Sequence, residues 1–165
     1  MVLKSVDFGI PQNRQRIYLV LWKKGIAKNF SYPKPLKIQV KVGDILESSP
    51  ALKYTISDRL WDGHKRRKAL NKTNGKGFGY GLVSSESPYT NTISARYYKD
   101  GSEILIEQKG KNPRKLTPKE AALLQGFPFE FAVHPSDVQA YKQFGNSVTV
   151  PVIQALASEI KKQLL

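Results

Sequence analysis

The chain has 165 residues, with Lys+Arg 27 against Asp+Glu 13 and a formal net charge of +14 at pH 7, a balance that points to a polyanionic partner, most often nucleic acid, with plain solubility as the alternative. Hydrophobic residues at 40% and aromatics at 10% suffice for a packed core of one domain or one domain with a small appendage; the longest apolar run, Ile17–Trp22, is too short to span a bilayer, so no membrane partner is expected. No cysteine and two distant histidines exclude disulfides, cysteine-ligated zinc, a cysteine nucleophile and metal-ligand spacing, and leave a serine–histidine triad little to draw on.

In chain order, VLKSVDF reads as extended and GIPQNRQ as a turn punctuated by Gly9 and Pro11. The start lacks the apolar stretch of a secretory signal. RIYLVLW is predicted as a strand apolar on both faces, of the kind buried within an α/β sheet. NFSYPKPLK follows as a polar linker that Pro33 and Pro35 bias toward extended structure. Ser57 caps a predicted helix, DRLWDGHKRRKALNK, with Leu60, Trp61, His64 and Ala69 or Leu70 roughly on one side. KTNGKGFGYG breaks it. YTNTISARYY and SEILIEQ are predicted strands joined by the turn KDG. No internal repeat is evident.

The last third is helical. TPKE is a capping box, with Thr117 at the N-cap, Pro118 at N1 and Glu120 at N3; Gly126 stops that helix. Ser136 to Gln139 is a second capping box, opening a short helix that stops near Gly145. SVTVPVIQALASEIKKQLL is a final amphipathic helix, with Val148, Val152, Ile153, Leu156 and Ile160 at helical spacing and Lys161 and Lys162 at its negative end.

Five stretches carry candidate chemistry. Gln12, Arg14 and Arg16 alternate and in an extended chain would share a face, a donor cluster suited to phosphate or a base carbonyl; a solvated turn with surface arginines is the plainer reading. The helix face around Arg66 and Arg67 offers phosphate contacts without sequence choice, or is a solvated face. In GKGFGYG, with Lys76 beside them, Phe78 and Tyr80 offer flat faces on a backbone that glycine lets approach a ligand, or form a hairpin turn. Thr92, Ser94 and Arg96 alternate onto one strand face, a reading strip or ordinary half-exposed polar residues. Asn146 and Ser147 follow Gly145 at a helix mouth, where unpaired amides meet a polar ligand, or Ser147 is simply the N-cap.

Taken together and in this order, GIPQNRQRIYLV, RKLTPKEAALLQGFP and AYKQFGNSVTVPV resemble motifs VIII, IX and X of the DNA cytosine carbon-5 methyltransferases. The middle, with RLWDGHKRRK, GKGFGYG and TNTISARYY, is similar to the target recognition domain of bacterial members, so the resemblance covers nearly the whole chain. It implies an α+β fold. Residues 1–36 and 113–165 would be the edge hairpin and C-terminal helices of a Rossmann-like catalytic domain, and 37–112 a small mixed, β-rich target recognition domain. It implies that Arg16 contacts the flipped cytosine, that Gln12 and Arg14 hold DNA and the catalytic loop, and that Asn146, Ser147 and Val148 line the S-adenosyl-L-methionine pocket. Arg66, Arg67, Lys76, Phe78, Tyr80, Thr92, Ser94 and Arg96 fall in the recognition region, and Arg114, Leu116 and Glu120 in motif IX, which organises it. Lys119 and Leu123 stand where the family usually has arginine; lysine lacks the bidentate fork, so a weaker supporting salt bridge is expected there.

The family's other half carries a glycine-rich cofactor motif, a Pro-Cys nucleophile and a catalytic Glu-Asn-Val, none of which occurs in this sequence. The resemblance therefore implies a recognition half, inactive alone, that works with duplex DNA and an N-terminal methyltransferase half in a bacterial, nucleoid-associated setting. A split subunit, a frameshifted or truncated fragment and a DNA-binding remnant all fit, and the initial methionine before motif VIII suits the first two. A non-catalytic basic DNA-binding or regulatory module is the alternative. Strand RIYLVLW without its sheet is expected to drive association, with a partner or with itself.

Overall fold

A computed structural model describes residues 1–25, 30–36 and 38–164. The chain is a mixture of short strands and helices. Strand β1 (Val2–Lys4) pairs antiparallel with β2 (Gln15–Ile17), setting Val2 against Ile17, Leu3 against Arg16 and Lys4 against Gln15. Between them Ser5–Phe8 form one 3-10 turn, closed by Gly9 at φ +79°, a left-handed conformation that favours glycine. The inner face of this hairpin puts Leu3 and Phe8 against Val152, with Tyr18 and Ala155 at the margin.

Its outer face is bare. The expected buried strand through Trp22 ends instead at Ile17, and Ile17, Leu19 and Leu21 are 71%, 79% and 89% exposed. Burial on both faces needs neighbouring strands and covering helices, and among the described residues this sheet has two strands only.

In the middle, helix α1 (Asp58–Thr73) starts where Ser57 accepts a hydrogen bond from the Leu60 amide, as expected. Strand β3 (Leu82–Val83) runs parallel to β4 (Leu105–Gln108), which pairs antiparallel with β5 (Lys111–Arg114). YTNTISARYY is not a strand. Thr90 makes one isolated bridge to Gln12, and residues 95–100 form turns. Side chains and a distant segment take over the ladder's partners. The Thr92 hydroxyl donates to Asn13 O, the Ile93 amide donates to Gln12 Oε1, and the Arg96 amide donates to Ser94 Oγ. Ile93 and Tyr97, both fully buried, pull the segment into the core rather than along a sheet.

The capping box of α2 (Pro118–Leu123) forms as read, with Glu120 N–H donating to Thr117 Oγ1 and Thr117 N–H to Glu120 Oε2. The second box does not form. Ser136 precedes α3 (Asp137–Asn146), but its amide, which Gln139 would have to receive, donates to His134 Nδ1 at 2.9 Å. The last helix, α4 (Val150–Leu164), begins two residues later than the Ser147 cap predicts. Ser147 instead closes α3, its hydroxyl donating back to Phe144 O. Among the described side chains of α4, Val152 and Leu156 are buried, while Val148 precedes it and is exposed.

One hydrophobic cluster joins the middle to the helices: Val42, Ile45, Ile93, Tyr97, Ile104 and Ile106 pack with Leu116, Leu124, Tyr141 and Phe144. Tyr97 and Tyr141 meet edge to face at 5.1 Å, and the Tyr97 hydroxyl both donates to Ile104 O and accepts from the Leu116 amide.

Candidate nucleic-acid interface and catalytic edge

Gln12, Arg14 and Arg16 do not project together. The backbone turns through Pro11–Asn13 before β2 begins, so strict alternation fails, and the first two side chains point inward. Gln12 is fully buried: its amide donates to Leu124 O, and its carbonyl accepts from the Ile93 amide. The Arg14 guanidinium is buried against two chain segments, donating to Ile93 O at 3.1 Å on one and to Gly145 O at 3.3 Å and Ser147 O at 2.8 Å on the other, while its Nε has no partner. Burial, and then the charge of Arg16, lowers the Arg14 pKa from its ordinary value. Arg16 is exposed on β2 and donates to the Gln15 carbonyl at 2.7 Å. As a free donor facing solvent, it stands apart from the other two.

A polar seam that the sequence reading missed supports this corner. Ser5 Oγ and Thr149 Oγ1 lie 2.7 Å apart; Thr149 also reaches Gln125 Oε1, and Gln125 Nε2 donates to Phe144 O. All three residues are buried and fully partnered, which fixes the β1–β2 hairpin against the α2, α3 and α4 ends. The available signals were a glutamine ahead of the helix-stopping Gly126 and a threonine interrupting the apolar run of SVTVPV.

Asn146 is exposed at the last position of α3, Ser147 is half-buried and Val148 exposed, so they form the α3–α4 junction rather than a helix mouth. The Ser147 carbonyl is taken by Arg14, so one guanidinium joins this junction to the Ile93 backbone.

Arg114 and Glu120 form a buried fork, Nη1 to Oε2 at 2.7 Å and Nη2 to Oε1 at 2.8 Å. Glu120 also accepts from the amides of Glu47 and Thr117, so its remaining lone pairs are used. Lys119 lies over the Phe129 ring at 4.3 Å and donates to the Phe129 carbonyl; Leu123 packs at the core margin. The fork therefore stands without arginine at those two positions.

On α1 the basic residues divide. Arg66 shares a shallow groove of about 540 Å³ with Arg59, Asp62 and Lys65. Arg67 faces the other way: its Nη2 donates to His64 Nδ1 at 2.7 Å and to Asp100 Oδ2 at 3.1 Å. Helical spacing of 100° per residue explains the division. Phe78 and Lys76 are exposed, whereas Tyr80 is half-buried edge-on to Trp61 at 4.9 Å and under Lys68 at 4.2 Å. Thr92, Ser94 and Arg96 share no strip: the first two side chains bond Asn13 O and Glu103, and Arg96 alone is exposed. Among the described residues no cluster of three His, Cys, Asp or Glu can hold a metal, and no helix is long and apolar enough to cross a membrane.

The model of the C-5 cytosine-specific DNA methylase family matches residues 1–162. The chain is 64% identical over 162 residues to Type II methyltransferase M.SsoII of Shigella sonnei, covering 96% of this chain and 43% of that protein. It is 65% identical over 163 residues to Type II methyltransferase M.NlaX of Neisseria lactamica, covering 99% and 52%. It is 36% identical over 184 residues to the DNA-cytosine methyltransferase of Escherichia coli strain K12, covering 94% and 39%. The chain thus spans about half the length of the curated relatives it matches. Among solved structures, the Entamoeba histolytica methyltransferase EhMeth superposes with a TM-score of 0.73 at 20% identity, over 100% of this chain and 53% of that one. Schizosaccharomyces pombe Dnmt2 gives 0.71 at 18% identity, over 99% and 56%. The fold is shared with those methyltransferases.

Proposed function

The chain belongs to the C-5 cytosine-specific DNA methylase family, and from that membership we propose that it is the DNA-recognition, carboxyl-terminal half of a DNA cytosine-5 methyltransferase of bacterial restriction–modification type. One pairing carries the reading: the family match spans residues 1–162, and the chain contains no cysteine. Carbon 5 of cytosine becomes reactive only after a nucleophile adds at carbon 6. A complementing chain supplies that thiolate, and the bare outer face of the β1–β2 hairpin is the surface it covers. Residues 1–36 and 113–165 belong to the catalytic domain in this reading, and 37–112 to recognition. The protein acts in the bacterial cytoplasm, on the nucleoid.

Each residue then has a task. The net charge of +14 supplies affinity for duplex phosphates, with Arg66, Lys76 and Arg96 exposed for it and Phe78 offering a flat face. Arg16, free on β2, donates to the swung-out base and offsets charge that develops on it. Gln12 and Arg14 hold the segment at Ile93 and the α3–α4 junction in place from inside. The Asn146 amide and the exposed Val148, one polar and one apolar contact, fit one edge of a nucleoside, and the rest of that pocket lies on the other half. When bound, S-adenosyl-L-methionine supplies the methyl group.

Reconstitution tests the reading. The chain is mixed with the amino-terminal half of a close relative, duplex DNA and labelled S-adenosyl-L-methionine. Methyl transfer is expected with both halves and absent from either alone; no transfer with any cognate half overturns it. Arg16→Ala should lower reconstituted turnover by about 100-fold or more while leaving duplex affinity within a few-fold. If affinity falls and turnover per bound complex does not, the chain is a basic DNA-binding module instead.

A further inference from the structure

Two faces of α1 differ in what their cations do. Arg59, Lys65 and Arg66 border the outer groove, where Lys65 pairs with Asp62 at 2.7 Å, whereas His64 is buried on the opposite side and the exposed Arg67 side chain reaches back to it. We propose that Arg67 is a positioning residue, not a DNA contact: with His64 and Asp100 it forms a clasp that docks α1 on the 95–101 turn and so presents Arg59, Lys65 and Arg66 to the duplex. This rests on the reading that the chain binds DNA, and assigns the phosphate-facing residues of that surface.

The hydrogen bonds fix the protonation. An arginine only donates, so His64 Nδ1 accepts from Arg67 and the ring proton sits on Nε2, which donates to Asp100 O at 3.3 Å. Asp100 closes the loop, accepting from Arg67 through Oδ2 and from the Ser102 amide through Oδ1. The neutral imidazole is therefore the form that holds the clasp; a second proton would set a cation against Arg67. Burial keeps the His64 pKa below its ordinary value, with the pull of Asp100 opposing it and the weaker effect of the Arg67 charge adding to it. Tyr80 from the glycine-rich segment lies 6.3 Å away ring to ring.

The sign of one substitution separates the two roles. Asp100→Asn raises the net charge by one. If Arg67 contacted phosphate, freeing it would tighten duplex binding; under the clasp, α1 loosens and binding weakens, by about fivefold at low salt. Arg66→Gln should weaken binding and lower the slope of log affinity against log salt by about one, as removal of a phosphate contact does. His64→Gln, which can accept from Arg67 and donate to Asp100 O, should retain affinity. Tighter binding by Asp100→Asn overturns the proposal.

A second measurement needs neither DNA nor an altered fold. The His64 ring protons report its titration by NMR. Its midpoint should lie below the ordinary imidazole value of about 6.5, and Arg67→Gln should move it up. A midpoint at or above the ordinary value, or one indifferent to Arg67, overturns the clasp itself. If the wild-type chain binds no duplex even at low salt, the DNA reading fails and takes the clasp's role with it; the imidazole titration then still reports whether the clasp forms.

Discussion

Glu120 is a costly side chain to disturb. It is fully buried, and four donors converge on its carboxylate: both arms of Arg114 and the amides of Glu47 and Thr117. Glu120→Gln leaves the Arg114 guanidinium buried without its counter-charge, and should cost about 3 kcal/mol by urea denaturation; a loss under about 1 kcal/mol would show that the site relaxes or admits water. His64 makes the acid limb of stability. Its folded pKa lies below the unfolded value because of burial, so its contribution is fully present above about pH 6.5 and is lost as pH falls toward the folded midpoint. Melting temperature should accordingly drop as pH falls below about 6.5, and His64→Gln should flatten that part of the profile. A wild-type melting curve unchanged over that range contradicts the buried neutral imidazole.

At the scale of elements, close approach decides where glycine is required. Gly145 lies in α3 against the segment that failed to become a strand: a Cβ there would come within 2.3 Å of the Ala95 amide nitrogen and the Ser94 carbonyl, backbone atoms that cannot step aside. Gly145→Ala should therefore destabilise by about 2 kcal/mol or more and displace the 94–96 segment. Gly63, mid-helix in α1, meets nothing within 4 Å and has no positive φ, so Gly63→Ala should stabilise by about 0.5–1 kcal/mol. Calorimetry on the pair gives opposite signs for the same added methyl; equal signs would contradict this packing. The contrast also explains why 90–98 misreads as a strand. Its composition is that of β structure, but its partner turned out to be a helix with a glycine at the contact.

For the whole molecule, the decisive feature is an apolar hairpin with one face covered. Leu3 and Phe8 are packed on α4, while Ile17, Leu19 and Leu21 face solvent without a sheet to enter. Such a stripe favours association. At micromolar concentration the chain should scatter as a species larger than a monomer, and Ile17→Lys with Leu21→Lys should return it to one. A monodisperse wild-type monomer would mean that the stripe is tolerated in water. The expected division at residues 36 and 112 meets a continuous core, because Val42, Ile93 and Ile104 pack directly with Leu116, Tyr141 and Phe144.

Local rules carried the helices. Ser57, the Thr117–Glu120 box and the apolar spacing of Val152 and Leu156 are decided within a few residues, and each was legible in the sequence. Membership in a family of methylases was legible as well, in three ordered segments, as was the missing thiol. Which donors face outward was not. Gln12, Arg14 and Arg16 read alike by alternation, and Arg66 and Arg67 read alike by charge, yet Gln12, Arg14 and Arg67 spend their donors on buried carbonyls or a histidine within the chain. A polar side chain's direction is set by whichever unpaired group the distant chain leaves beside it, Leu124 O for Gln12 and Ser147 O for Arg14, and only the tertiary structure brings those groups together.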